Sequence, residues 1–373
     1  AEAVMKMSFG NDIGFAENEG AVRYDGPRYG CLIAELTEDC DFGEKIGVTT
    51  AEPVIRYHGD TASIAELYAI NASVLEKVYP TKTVETDKPI STFDYQAASY
   101  PAPAVKCAKP KVLIPVFPGT NCEYDSARAV EAAGAQADIL VIRNLTAEDV
   151  ARSVEQAVEK IRDSQMIFLP GGFSGGDEPD GSAKLITAFF RSAAVKEQVT
   201  ALLEQRDGLM LGICNGFQAF IKLGLVPYGK IMDTDADFPT LTYNVIGRHQ
   251  SRLVRTRVCS NKSPWLAGTK VGDIYTVPIS HGEGRFLASE ELVKKLAENG
   301  QIATQYVDLD GYATMDAAFN PNGSICAIEG ITSPDGRVFG KMGHTERIGK
   351  ELYRNVPGQY EMELFTSAVR YFK

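Results

Sequence analysis

The chain has little of what several protein classes require. No apolar run reaches transmembrane length and no signal-like segment opens it, so neither a membrane span nor an export leader is expected. There is no basic excess: 38 Lys and Arg stand against 49 Asp and Glu, a net charge of −11. Nucleic acids and anionic membranes recruit basic stripes, so neither is an expected partner. The seven cysteines, at 31, 40, 107, 122, 214, 259 and 326, contain no C-x-x-C pair. That argues against a zinc site or a thioredoxin-like motif, and no metal ligand set is assigned. An odd, scattered set of thiols suits a reducing compartment, so a cytoplasmic location is expected. Histidine is scarce: positions 58, 249, 281 and 344 are the only candidates for a general base of this type.

What is present is ordinary in bulk and specific in detail. The 373 residues are 44% hydrophobic and 23% charged, enough for two or three globular domains. The chain starts at Ala1 and its opening reads as mid-domain, so a piece of a longer polypeptide is expected. Residues 1–85 read as an α+β segment. Its strands are expected at 29–36 and 46–55, and an amphipathic helix at 63–79, capped by Ser63 with Glu66 and ended by Pro80. Residues 86–110 read as a proline-punctuated linker. From 111 to 373 apolar strands alternate with helices, at first around Val112–Phe117, Ala137–Ile142, Gln165–Pro170 and Leu209–Ile213. That pattern predicts a doubly wound, mostly parallel α/β sheet with its chemistry at the carboxyl ends of the strands. Further on, strands are expected at 251–258 and 275–286, a hairpin at 324–331 and 338–343, and a closing helix over 360–371.

Three of those strand ends carry unusual loops: Pro118-Gly119-Thr120-Asn121-Cys122-Glu123, Gly171-Gly172-Phe173-Ser174-Gly175-Gly176, and Gly212-Ile213-Cys214-Asn215-Gly216. The last has the strand–turn–helix order of a nucleophile elbow, with Cys214 in the nucleophile's place. Glycines at 212 and 216 permit tight backbone crowding, and the helix start predicts a thiol biased toward thiolate. A cysteine nucleophile needs a base, an orienter and oxyanion donors. His344 and Glu346 lie two apart in Gly343-His344-Thr345-Glu346-Arg347, on one side of an extended segment, and can form the base and its orienter. The backbone N–H groups of Gly172 and Asn215 are the expected oxyanion donors. His281, in Ser280-His281-Gly282-Glu283-Gly284-Arg285, is a rival base or a substrate contact. His249 and His58 read as structural or solvent-facing. A phosphate cradle at 171–176 is disfavoured, because no Gly-Lys-Ser/Thr follows and Asp177, Glu178 and Asp180 repel phosphate.

These motifs together resemble the class I, triad-type glutamine amidotransferases, whose fold is flavodoxin-like. Pro118–Glu123, Cys214-Asn215-Gly216-Phe217-Gln218 and His281–Phe286 are similar to the glutaminase part of the phosphoribosylformylglycinamidine synthase family of purine biosynthesis. Ala34–Glu38 and Thr49–Pro53 are similar to the end of that family's synthetase region. The resemblance implies that Cys214 attacks the amide of glutamine, His344 moves protons and Glu346 orients it. It implies that Gln218, Phe173 and His281 line the glutamine pocket. It further implies a synthetase partner, or remainder of the same polypeptide, that uses ammonia with ATP and Mg²⁺; no cofactor is expected in this chain, and glutaminase activity in isolation is expected to be weak. Two departures stand out: the family often has Pro-His-Pro-Glu-Arg where this chain has Gly343–Arg347, and Phe-Ser-Tyr-Gly-Asp-Tyr where it has Phe173–Glu178. The alternatives are another Cys-His-Glu hydrolase of related fold, such as a γ-glutamyl hydrolase or a peptidase, and a non-catalytic docking module.

Overall fold

A computed structural model describes residues 1–21, 29–38, 40–41, 43–81, 83, 89–99, 102–174 and 182–373. It divides into two compact units, Ala1–Thr81 and Lys82–Lys373.

The first unit is α+β. Strands β1 (Gly14–Glu17), β2 (Gly47–Thr50), β3 (Val54–Tyr57) and β4 (Asp60–Ser63) form one sheet in the order β2-β1-β3-β4. Val4, Phe15, Ile55 and Ile64 make its small core. Ser63 caps the helix Ile64–Ser73 by accepting from the Glu66 N–H at 3.1 Å. Three expectations are corrected here. Residues 31–36 are not a strand; Leu32 is 95% exposed. Apolar, β-branched residues favour a strand only where a partner edge exists, and here β1 pairs with β2 and β3 instead. The single strand at 46–55 is two strands, broken by the bend at 51–53, where Pro53 has no N–H to give a ladder. The helix ends at Ser73, short of Pro80, and a turn closed by Tyr79 N–H onto the Leu75 carbonyl follows. Val74 and Leu75 are exposed, so no packing extends the helix.

The second unit is α/β around one nine-stranded sheet. Its parallel half contains β5 (Lys111–Val116), β6 (Gln136–Val141), β7 (Met166–Leu169) and β8 (Leu209–Ile213). Four continuous apolar runs became these strands, and β7 and β8 are buried at every position. The helices Glu123–Ala132 and Ala147–Asp163 pack on β5 and its neighbours. Thr146 caps the second of them through the Asp149 N–H. Downstream come β9 (Thr240–Tyr243), β10 (Gln250–Val258), β11 (Ile274–His281), β12 (Glu283–Leu287), β13 (Ile302–Tyr306), β14 (Ile328–Thr332) and β15 (Val338–Lys341). The sheet order is β11-β10-β13-β14-β15-β8-β7-β5-β6, with β9 and β12 paired separately. β15 is the junction: it runs parallel to β8 and antiparallel to β14.

The parallel sheet therefore continues into an antiparallel half. The segment 275–286 is two strands with different partners, β10 for one and β9 for the other. The strand expected from 324 begins at Ile328, after a tight turn over 325–327, and the closing helix begins at Leu364. The proline-rich stretch is laid along this unit. Tyr95 N–H donates to the Cys259 carbonyl (2.8 Å), Phe93 N–H to Gln305 Oε1 (2.8 Å) and Cys107 N–H to the Phe372 carbonyl (2.7 Å). Its hydrogen bonds run to distant chain, which is why it shows no periodicity of its own.

The turn after β8 is built by close approach. A Cβ on Gly216 would lie 2.1 Å from the Leu169 carbonyl oxygen of β7, and one on Gly212 would lie 2.7 Å from the Gly216 backbone. Both obstacles are backbone, so neither can step aside. Gly216→Ala is expected to destabilise this unit by about 3 kcal/mol. A thermal melt checks this against Gly349→Ala, where nothing lies within 4 Å; equal melting temperatures would refute the crowding argument.

Candidate active site

The β8–β15 pairing sets the site. The register matches Ile213 to Lys341, so Cys214 and the segment from Met342 to Glu346 emerge at one sheet edge. Cys214 N–H donates to the Lys341 carbonyl at 2.8 Å. Cys214 has φ +52° and ψ −105°, a conformation unfavourable for a residue with a Cβ, and the helix Asn215–Leu223 starts immediately after it. His344 and Glu346 are buried and joined, Nδ1 to Oε1 at 2.6 Å. Among the described residues Nε2 of His344 has no hydrogen-bond partner, so in this resting geometry the thiol is not yet bonded to the ring.

Gly171 shows how closely these groups converge. A Cβ placed on it would lie 2.6 Å from His344 Cε1, 3.1 Å from Cys122 Sγ and 3.5 Å from Cys214 Cβ. Only a glycine leaves that space open. The loop is tied to the first strand end: Asn121 N–H donates to the Gly171 carbonyl (3.2 Å) and Phe173 N–H to the Gly119 carbonyl (2.8 Å). Gly172, at φ +147°, bridges to Thr120 between these two bonds. The Asn215 backbone N–H is directed at the Cys214 sulfur. All three loops singled out in the sequence therefore meet, although 175–181 lies outside the described residues.

The other candidates occupy different places. The Asn215 side chain accepts from Ser174 N–H and Oγ–H and donates to Gln218 Oε1 at 2.9 Å. Gln218 Nε2 in turn donates to the Glu283 carbonyl at 2.6 Å. Both ends of the Gln218 amide are thus engaged within the protein, so it braces the elbow from inside. Phe173 is 40% exposed, with its ring 6.2 Å from that of His249. His249 was set aside in the sequence, yet its Nε2 is 3.1 Å from Ser280 Oγ, and the Ser280 carbonyl is the Cys214 thiol's polar neighbour at 3.9 Å. His281 is buried, with Nε2 2.7 Å from Asn322 Oδ1. Burial pushes its pKa down to about 3, against the Asn322 contact, so it stays neutral and is a poor base.

The sequence did not reveal the role of Cys122. Its sulfur accepts from Arg347 Nη2 at 2.9 Å and lies 4.0 Å from His344 Nδ1. The signal was there, since the Pro118–Glu123 loop and Arg347 both sit in the quoted motifs. Donor atoms of Cys122, His344 and Glu346 lie within 4.8 Å of one another. The His344–Glu346 bond already uses two of them, and the adjacent guanidinium repels a cation, so the trio is a hydrogen-bonded network.

Electrostatics correct one expectation. Burial pushes the Cys214 thiol up to about 12, with Cys122 adding to the rise; Arg347 and the Asn215 N–H act in the opposite sense and do not prevail. The helix start therefore does not yield a resting thiolate, because desolvation outweighs a partial charge. A buried, neutral thiol beside a carboxylate-held imidazole suits a nucleophile that is deprotonated as it attacks. That is the design of a thiol-dependent amidotransferase or hydrolase.

The comparisons with known proteins narrow the class. The model of the CobB/CobQ-like glutamine amidotransferase domain matches residues 109–372, and the chain belongs to that family. It is similar to phosphoribosylformylglycinamidine synthase subunit PurQ of Methanococcus maripaludis, 34% identical over 281 residues, covering 70% of this chain and 97% of the relative. The same-named subunit of Aquifex aeolicus is 32% identical over 242 residues, covering 65% and 92%. Among solved structures, PurLQS from Thermotoga maritima matches with a TM-score of 0.51 and 26% identity, over 71% of this chain and 100% of that one.

Thiolate, not thiol, reacts with iodoacetamide, and a thiol is anionic only above its pKa. With the pKa of Cys214 at about 12, alkylation of the substrate-free site should still be rising with pH beyond 9.0, the ordinary thiol value. Peptide mass spectrometry follows residue 214; a plateau below that value would contradict the burial argument.

Proposed function

We propose that Cys214 attacks the side-chain amide of glutamine while Nε2 of His344 takes the thiol proton. Glu346 fixes the ring's tautomer and stabilises the imidazolium as it forms. The N–H groups of Asn215 and Gly172 receive the developing oxyanion. The C–N bond breaks, His344 returns its proton to the leaving ammonia, and a γ-glutamyl thioester remains on Cys214. Water, deprotonated by the same ring, then releases glutamate and restores the thiol. Phe173, His249 and Ser280 form the approach to the sulfur. The observation that carries this reading is the buried His344–Glu346 pair whose Nε2 lies unpartnered beside the strained elbow.

In this role the chain is the glutaminase component of phosphoribosylformylglycinamidine synthase, supplying ammonia for amidation in purine biosynthesis. The match to PurQ subunits over nearly their whole length supports that assignment. The ammonia is consumed by a synthetase partner, of the kind the PurLQS assembly implies, where ATP and Mg²⁺ drive the amidation. No residue of this chain is assigned to either. The site of action is the cytoplasm. Among the described residues no helix is long and apolar enough to cross a membrane.

Glutamate release from free glutamine tests the mechanism. Cys214→Ala is expected to lower kcat by at least about 1000-fold, and equal rates would eliminate the mechanism. A panel of γ-glutamyl peptides separates it from a peptide hydrolase, which would cleave them in preference to glutamine.

A further inference from the structure

Directly behind the base lies a pair of charges with no exposure at all. Lys341 Nζ is 3.3 Å from Glu329 Oε1, and both side chains are 0% accessible. Both also bind the backbone of one residue, Gly343. Its N–H donates to Glu329 Oε1 at 2.6 Å, and its carbonyl accepts from Lys341 Nζ at 2.9 Å. The far carboxylate oxygen accepts from Thr304 Oγ1 on β13, which anchors the pair to the antiparallel half of the sheet. A Cβ on Gly343 would lie 3.0 Å from Glu329 Oε1 and 3.1 Å from Lys341 Nζ, so the pair is packed directly on that backbone. The next residue is His344, whose own N–H donates to the Pro278 carbonyl at 2.8 Å.

A buried ion pair is a poor device for stability alone, since apolar side chains of similar volume fill the same space without the desolvation penalty. What apolar side chains cannot do is grip both the N–H and the C=O of one glycine. Lys341 also reaches the other half of the site, because its carbonyl accepts from Cys214 N–H. One residue thus fixes the nucleophile's backbone through its main chain and the base's backbone through its ammonium.

We propose that Lys341 and Glu329 are positioning residues for the glutaminase step: they hold the Gly343 peptide so that the His344 ring stands at the distance and angle from which it serves Cys214. This rests on the reading of His344 as the proton carrier. The pair touches neither substrate nor reacting atoms, so its loss should lower kcat and leave KM for glutamine in place.

Two variants of the full chain, K341M and K341M/E329Q, test this by glutamine hydrolysis and thermal melting, beside wild type and Cys214→Ala. K341M strands a buried carboxylate and should melt lower; the double variant removes that stranded charge and should regain most of the melting temperature. Both should retain KM and lose about 100-fold in kcat. If kcat in the double variant returns together with its melting temperature, or if either variant turns over like wild type, the positioning role is wrong and the pair is structural. If wild type and Cys214→Ala release glutamate equally, the proton-carrier reading itself fails and takes the positioning role with it.

Discussion

The site depends on the register between two parallel strands that are far apart in the chain. β8 delivers the elbow and β15 leads into His344, and the pairing of Ile213 with Lys341 decides that residues 214 and 344 leave the sheet together. A slip of one residue would turn every side chain of β15 to the opposite face and carry the imidazole away from the sulfur. Because β8 and β15 are buried at every position, such a slip would also mispack the side chains of β15 and part Lys341 from Glu329, so the core protects the chemistry. β15 is also where the sheet changes sense, so the antiparallel half gives the base strand its second partner.

Burial has a cost at this position, and the structure meets it with directed hydrogen bonds. The thiol is held neutral by desolvation, His281 is kept uncharged, and the carboxylate of Glu346 is matched to His344. Of the other charged groups nearest the site, Lys341 is paired with Glu329, and Arg347 donates to the sulfur of Cys122, whose thiol burial pushes up to about 11. The amide chain from Ser174 through Asn215 and Gln218 to the Glu283 carbonyl joins the glycine loop to β12. These groups hold the loops still before any ligand arrives, which is how a catalytic geometry gains its advantage.

Much of this was legible in the residues. Continuous apolar runs announced β5 to β8, and glycine spacing around Cys214 announced the elbow, because backbone crowding leaves a direct trace in composition. His344 and Glu346 were legible from a two-residue spacing after a strand. The environment of the thiol was not, since desolvation is a property of everything packed around it. The internal partners of Gln218 were not legible for a related reason: its neighbours in the motif say nothing about the Glu283 carbonyl that accepts from its amide. Residues 29–36 had strand-like composition and found no edge to join. Lys341 and Glu329 would each pass for surface residues in sequence; only their mutual contact makes burial tolerable.

The order in which these pieces occur along the polypeptide has a consequence for biosynthesis. The elbow is translated well before β15, and a parallel pairing over so long a loop forms late in folding. On the proposed mechanism, an unfinished chain still on the ribosome owns a sulfur with no imidazole to serve it and cannot consume glutamine. Competence to release ammonia then waits until the segment through Glu346 has been made and β15 has docked on β8.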